Sequence, residues 1–401
     1  MGITKILLPA AMMIAPGLHA AEPVVADSTG FKFTDVSLVP GTSVKDQNKS
    51  GTCWSFSGLG FLENEILRNT GREVDLSEMW VVRKCYTDKA DRYVRMDGAT
   101  NFAAGGGMPD IFYVWENYGL LPEEAYPGLQ YGEEKHDHSE LDPILAGLVN
   151  TVKDKKGRKS TAWKGAFDGI LDAYLGKTPE SVTVNGKTMT PAEYASTLGI
   201  DRDDYVAVTS FTHHPFYTQF ALEIADNWLW AKYHNVPLDE LKAIVDNALD
   251  NGYSIAWAAD VSEPTFKWKE GYAVLPKKKT AADLEGTELS RWVKLSDKDR
   301  EEEANAVKGP VEEIVVTQES RQEMFDRHET TDDHGMIIMG KAVDQEGNRY
   351  YKVKNSWDTN QVYDGYLYVS EPYLLAKTMD IVVNRAAVPA AIAKKMGIAG
   401  K

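Results

Sequence analysis

A cysteine at the head of an apolar helix, with its chemical partners at the far end of the chain, is the feature that most limits how these 401 residues can fold. Gln47-Asn48-Lys49-Ser50-Gly51-Thr52-Cys53-Trp54-Ser55-Phe56 leads into Leu59, Phe61, Leu62 and Ile66, a spacing that lays an apolar stripe along one helical face. Cys53 therefore stands in the first turn, where unpaired N–H groups and the positive end of the helix dipole favour a thiolate. Gln47 lies a short loop upstream, and its side-chain amide is expected beside the Cys53 N–H; two such donors make an oxyanion hole. A lone cysteine is more often a small core residue, so the weight rests on its partners. Asp332-Asp333-His334-Gly335-Met336-Ile337-Ile338-Met339 reads as a histidine entering an apolar strand. Tyr350-Tyr351-Lys352-Val353-Lys354-Asn355-Ser356-Trp357 reads as a second strand ending in Asn-Ser-Trp.

Gln…Cys-Trp-Ser-Phe, a distant His-Gly-Met and then Asn-Ser-Trp resemble the papain-like cysteine peptidases in both order and spacing. That resemblance implies Cys53 as nucleophile, His334 as general base and acid, Asn355 as orienter of the imidazole, and Gln47 as oxyanion donor. It also implies that Trp357 covers the His–Asn hydrogen bond beside the substrate. The implied fold class is α+β, a papain-like two-lobe fold with a helical lobe, a β-barrel-like lobe and a helical insertion. Leu76-Ser77-Glu78 and Gly119-Leu120-Leu121-Pro122-Glu123-Glu124-Ala125-Tyr126-Pro127 are further features of that kind.

Several motifs are similar to the bleomycin hydrolase and bacterial aminopeptidase C family, peptidase family C1B. They are Thr190-Pro191-Ala192-Glu193-Tyr194, Tyr205-Val206-Ala207-Val208-Thr209 with His213-His214-Pro215, and Gly252-Tyr253-Ser254-Ile255-Ala256-Trp257-Ala258. The activity implied is aminopeptidase, releasing N-terminal residues from peptides. The alternatives are an endopeptidase with an open cleft and a non-catalytic peptide-binding protein on the same fold. In that family a C-terminal arm ending near Met-Gly lies in the cleft, and its carboxylate fixes the substrate's amino group. Met396-Gly397 echoes the arm, while a frayed terminus is the other reading. Homo-hexamers enclosing a channel are also implied.

The boundaries expected are 1–21 signal peptide, 22–132 helical lobe, 133–250 mainly helical insertion, 251–385 β-rich lobe and 386–401 C-terminal arm. Lys5, the apolar run Ile6 to Ala15 and the small residues at Ala20-Ala21 make the leader. They predict export to the periplasm or medium. No other stretch is long and apolar enough for stable membrane insertion. Acidic residues number 60 against 44 basic, a net charge of −16 that argues against nucleic acid as a partner and leaves peptides. Cys53 and Cys85 are the two cysteines. A disulfide would consume the nucleophile, so Cys85 is expected as a free thiol in or near a helix. Papain-like enzymes that are secreted usually carry several disulfides; this chain cannot.

Gly105-Gly106-Gly107 lacks the strand–turn–helix context of a phosphate loop. It is read as backbone brought close to an extended substrate, with a plain loop as the alternative. Ser181 to Met189 is a hairpin with an Asn185-Gly186 turn, and Thr190-Pro191 opens a helix. His213 and His214 have too few partners in sequence for zinc and are read as structural. His136 and His138 are read as a charged surface loop. No metal and no cofactor is called for. The charged run from Pro276 to Lys308 is expected as a solvated excursion.

Overall fold

The computed structural model describes residues 30–398; the predicted signal peptide and the last three residues of the C-terminal arm lie outside the described residues. Strand β1 (Thr34–Leu38) precedes helices α1 (Cys53–Thr70), α2 (Glu78–Arg95), α3 (Pro109–Tyr118), α4 (Leu141–Asp154) and α5 (Ala162–Leu175). Then come the hairpin β2 (Val182–Val184) and β3 (Lys187–Met189), helix α6 (Pro191–Ser196), and strands β4 (Tyr205–Thr209), β5 (Gln219–Ala221) and β6 (Lys232–Asn235). Helix α7 (Leu238–Asp250) leads to β7 (Ile255–Ala259), β8 (Phe266–Lys267) and β9 (Tyr272–Ala273). Helices α8 (Gly286–Trp292), α9 (Asp297–Asn305) and α10 (Gln318–Asp326) follow. The chain closes with β10 (His334–Val343), β11 (Arg349–Lys354), β12 (Tyr366–Ser370), α11 (Glu371–Lys377), β13 (Thr378–Asn384) and α12 (Ala390–Lys395).

The expected punctuation is present. Asn185 and Gly186 both have positive φ, as the two-residue turn between β2 and β3 requires. Thr190 and Glu193 form a capping box at the start of α6. Helices α8 and α9 bury no residue, in keeping with a solvated excursion. No helix of the described residues is long and apolar enough to cross a membrane.

Helix α1 runs between the two lobes and is buried on every side from Trp54 to Ile66. Two glycines allow this. A Cβ on Gly58 would lie 2.4 Å from Ile111 of α3, and one on Gly60 would lie 2.9 Å from Ile337 of β10. Such burial traps charge as well as hydrocarbon. Glu63 accepts from Thr42 Oγ1 at 3.0 Å, Leu76 N at 2.8 Å and Lys45 Nζ at 2.8 Å, and Lys45 also meets Glu78 at 2.6 Å. Glu65 is held by Arg68 at 2.9 Å and by Asn384 Nδ2 of the other lobe at 2.7 Å. These buried carboxylates are paired, as buried charge must be.

Behind α1 stands one large mixed sheet of order β5-β6-β4-β13-β7-β10-β11-β12-β9-β8, with β1 also on β10. It is open, with β5 and β8 at its two edges, so the barrel-like lobe expected from the resemblance is not a closed barrel. The 133–250 stretch is not a separate helical body either. Residues of α4, α5 and α6 join the core of the helical lobe, while β4, β5 and β6 extend the sheet.

The register defines two faces. Gly335, Ala258 and Asp380 lie in one row across β10, β7 and β13, and Ile337, Ala256 and Val382 in the next. Ala256 and Val382 belong to the helical-lobe core, and Ile337 touches α1, so these rows face the lobe interface. The intervening residues Met336, Ile338, Trp257 and Ile381 face the other way, into a core shared with α7, α11 and α12.

The C-terminal segment lies on that outer face. Val388, Ile392, Ala393 and Met396 are buried with Leu241 and Ile244 of α7, and Lys395 pairs with Glu240. Through Ile398 the arm neither frays nor enters the interface with the helical lobe, because its apolar residues find cover on α7.

Arg321 ties this architecture together without any carboxylate. Fully buried, it donates to Ser210 O at 2.8 Å, Leu375 O at 2.9 Å, Ala376 O at 3.3 Å and Thr378 O, beneath the Phe211 ring. Replacing it by Met would strand four buried carbonyls, so R321M should lower the unfolding free energy by about 3–5 kcal/mol. Urea titration checks this as a lower midpoint at unchanged slope.

Candidate active site

Cys53 is the first residue of α1, preceded by Thr52, whose side chain makes no capping bond. Its N–H has no acceptor among the described residues. No acidic residue sits in the first turn to use the helix terminus. Burial nonetheless pushes the thiol up to about 12. The Gly335 and Trp54 N–H groups pull it back, and the charges of Asp332 and Asp226 push it the same way as burial. Burial therefore opposes the thiolate that the helix terminus alone favours. Cys85 is a free, fully buried thiol inside α2, as expected.

His334 opens β10 and is buried. Its Nε2 lies 2.7 Å from Asn355 Oδ1, just past the end of β11. The same oxygen accepts from Ser356 N at 2.8 Å, which fixes the orientation of the Asn355 amide. An acceptor at that position requires a proton on Nε2, so the neutral ring presents its lone pair on Nδ1. Burial holds the imidazole down to about 4, opposed by the Asn355 hydrogen bond. Trp357 lies over the ring with centroids 4.4 Å apart and is itself flanked by Trp268 at 5.5 Å. Cys53 and His334 make no hydrogen bond to each other in this state. They are neighbours through the backbone: a Cβ on Gly335 would lie 3.3 Å from Trp54 Cα and 2.5 Å from Ser57 Oγ.

Gln47 is buried and doubly tied to the Asn-Ser-Trp turn. Its N–H donates to Ser356 O at 2.8 Å, and its Oε1 accepts from Ser356 Oγ at 2.7 Å. With Oε1 occupied, Nε2 is the end left to donate. Ser356 thus sets the direction of the Gln47 amide, a role sequence reasoning missed. Its signal was its place inside Asn-Ser-Trp, where each residue handles a different partner.

The glycine run flanks Cys53 on the helical lobe. Trp54 Nε1 donates to Ala104 O at 3.0 Å, and Lys89 Nζ to Ala103 O at 3.3 Å and to Gly105 O. Gly107 O accepts from Asp110 N at 3.0 Å. The carbonyls on offer to an extended peptide are therefore fewer than the motif suggested, with Gly106 at their centre. A Cβ on Gly106 would fall 2.6 Å from Asp110 Oδ2, and one on Gly105 1.9 Å from Asp226 Oδ2. Asp226, from the chain before β6, lies over the run, and nothing in the sequence pointed to it.

Two histidine readings change. His136 and His138 are buried, not a surface loop. His136 sits edge-on to Phe56 and His138 to Tyr86, and burial holds His138 down to about 4. They fill space beneath the loop that carries Gln47 to Cys53, with Lys49 N bonded to His136 O at 3.1 Å. His213 and His214 do gain a partner from the fold: Glu223 accepts from both, at 3.0 and 2.8 Å. The three ligand atoms lie within 4.8 Å of one another, one short of a closed zinc shell.

Residues 34–203 match the papain family of cysteine proteases, and residues 311–398 match the peptidase C1-like family. Aminopeptidase C of Lactococcus lactis subsp. cremoris is 22% identical over 381 residues, covering 85% of this chain and 80% of the relative. Aminopeptidase C of Lactobacillus helveticus is likewise 22% identical, over 388 residues, covering 86% and 80%. Human cathepsin L2 is 33% identical over 136 residues, covering 33% of this chain and 38% of the relative. The crystal structure of PepW from Lactobacillus rhamnosis HN001 superposes with a TM-score of 0.66 at 18% identity, covering 91% of this chain and 84% of that one. With two lobes meeting at Cys53, and matches to papain-type families at both ends, this chain is a cysteine peptidase that belongs to the papain-like C1 family, in its aminopeptidase C-type branch.

Proposed function

We propose that the chain is a cysteine aminopeptidase that releases N-terminal residues from peptides through Cys53, His334, Asn355 and Gln47. The observation that carries the reading is the Asn355-Ser356-Trp357 turn, which orients His334 and Gln47 together from one piece of backbone. Neither Cys53 nor His334 charges readily by itself in this buried setting. The proton must pass from sulfur to Nδ1, so that both charges appear together and attract strongly where water is excluded. Substrate binding draws the two groups into contact, since such hydrogen bonds are often long in the empty enzyme.

The thiolate then adds to the carbonyl of the first peptide bond. Gln47 Nε2 and the Cys53 N–H receive the oxyanion. His334 gives its proton to the departing amine as the C–N bond breaks, leaving a thioester. Water, deprotonated by His334, hydrolyses that thioester and restores the thiol. Asn355 keeps Nε2 protonated throughout, and Trp357 keeps water from that bond. The glycine run, centred on Gly106, meets the substrate backbone. The aminopeptidase C relatives favour the exopeptidase assignment. An open-cleft endopeptidase is favoured by one observation, the packing of the described C-terminal segment on the outer face of the sheet.

One free and one N-acetylated copy of the same peptide should be digested and the products identified by mass. The expected outcome is stepwise loss of N-terminal residues from the free copy and none from the blocked copy. Internal cleavage of both would establish the endopeptidase instead. C53A should abolish turnover. S356A should lower kcat by about a hundredfold with little change in KM, because it releases an oxyanion donor; an unchanged kcat would remove Ser356 and Gln47 from the mechanism. Alkylation of the native protein followed by peptide mapping should mark Cys53 and spare Cys85. Failure to mark Cys53 would favour a non-catalytic, peptide-binding protein.

A further inference from the structure

We propose that Asp226, Asp332 and Asp380 form the receptor for the free α-ammonium group of the substrate, so that side chains within the cleft enforce an unblocked N-terminus. The proposal deepens the aminopeptidase reading and rests on it.

Position comes first. Asp380 shares a sheet row with Ala258 and Gly335, the row that faces the helical lobe. Gly335 on that row abuts Trp54 and Ser57 beside the sulfur. Two strand spacings, roughly 10 Å, therefore separate the Asp380 position from Gly335 along a face lined by the small residues Ala258 and Gly335. Asp332 stands two residues before His334, half-buried, with no hydrogen-bond partner among the described residues. Asp226, in the connection between β5 and β6, reaches the same region. Its Oδ1 is anchored by Asn101 Nδ2 at 2.8 Å, while Oδ2 lies over Gly105. Both Asp226 and Asp332 are close enough for their charges to act on the Cys53 sulfur.

A second observation points to a missing donor. Asp380 is 1% exposed, and its Oδ1 has no hydrogen-bond partner. Tyr233 is 0% exposed, and its hydroxyl is likewise unpartnered. That hydroxyl lies 3.4 Å from where a Cβ on Gly107 would be, and the ring packs with Ala258 and Met379. Two unsatisfied polar atoms on residues near enough for the Asp380 charge to act on Tyr233 are costly unless something arrives to satisfy them.

The missing group is a cation. Burial, with the charges of Asp226, Asp333 and Asp110, pushes Asp332 up to about 7. Burial and Asp332 together raise Asp380. The nearby cation, Lys89, is spent on the Ala103 and Gly105 carbonyls. An ammonium among these carboxylates would relieve their repulsion and supply the absent hydrogens. In an N-terminal residue the ammonium is one carbon from the carbonyl under attack, which suits carboxylates that already influence the sulfur.

The test compares the full chain with D226N, D332N and D380N on four fluorogenic probes: leucyl-aminocoumarin, its N-acetyl derivative, and two acetylated dipeptidyl-aminocoumarins, one with Arg and one with Leu second from the scissile bond. The parent should strongly prefer the free amine. Each variant should lose about 10- to 100-fold in kcat/KM on the free amine, chiefly through KM, while acetylated turnover holds or rises. Cys53 alkylation is expected to persist in all three. A parent that prefers the free amine, with variants that keep the full preference, overturns the receptor. A parent indifferent to acetylation sinks the aminopeptidase reading itself. Fast cleavage of the acetylated Arg probe, lost in D380N, would assign the pocket to a basic side chain and also overturn the proposal. Should D380N fail to melt cooperatively, D226N and D332N, at half-buried positions, decide the question.

Discussion

A helix buried on all sides organises this protein. Because α1 has no solvent face from Trp54 to Ile66, every polar group it carries must be met by a neighbour. Glu63 recruits Lys45 and Thr42 from the segment before it, Asn64 receives Thr42 N at 3.0 Å, and Glu65 reaches Asn384 in the sheet lobe. Those contacts draw the entering loop and the sheet against the helix. Only its first turn is left at the seam between the lobes, and Cys53 occupies it.

The same burial sets the electrostatics. An exposed helix terminus would favour the thiolate, but burial outweighs the N–H groups facing the sulfur. His334 is penalised in the opposite sense, towards the neutral ring. A half-buried thiol and a buried imidazole that each resist charge are suited to exchanging one proton between them. Around them stand carboxylates, Asp226 and Asp332, whose charges act on the sulfur.

How much could be read beforehand depended on whether a residue's partners were local or distant. Cys53, His334, Asn355 and Gln47 were singled out from short motifs, a helix start, a strand start and Asn-Ser-Trp, and the fold sets His334 against Asn355 and Gln47 against Ser356. The Asn185-Gly186 turn and the Thr190–Glu193 capping box were legible because their bonds span a few residues. His136 and His138 were misread because a charged local sequence hides the aromatic neighbours, Phe56 and Tyr86, that bury them. The C-terminal segment was misjudged for the same reason, since its cover on α7 lies far off in sequence. Ser356 was given no role of its own within Asn-Ser-Trp, because its partner Gln47 lies at the other end of the chain.

By itself the sequence determined the class of chemistry, because a cysteine at a helix start, a histidine at a strand start and Asn-Ser-Trp are motifs recognisable at local positions. Tertiary structure alone decided that the sheet stays open, that residues 133–250 divide between the lobes, and that the described C-terminal segment lies on the far face. It alone brought Asp226 over Gly105 and set Asp380 in the row of Gly335. The reason is physical. A hydrogen bond or a turn is specified by neighbours along the chain, whereas burial, strand register and the repulsion among remote carboxylates exist only after the chain has folded upon itself.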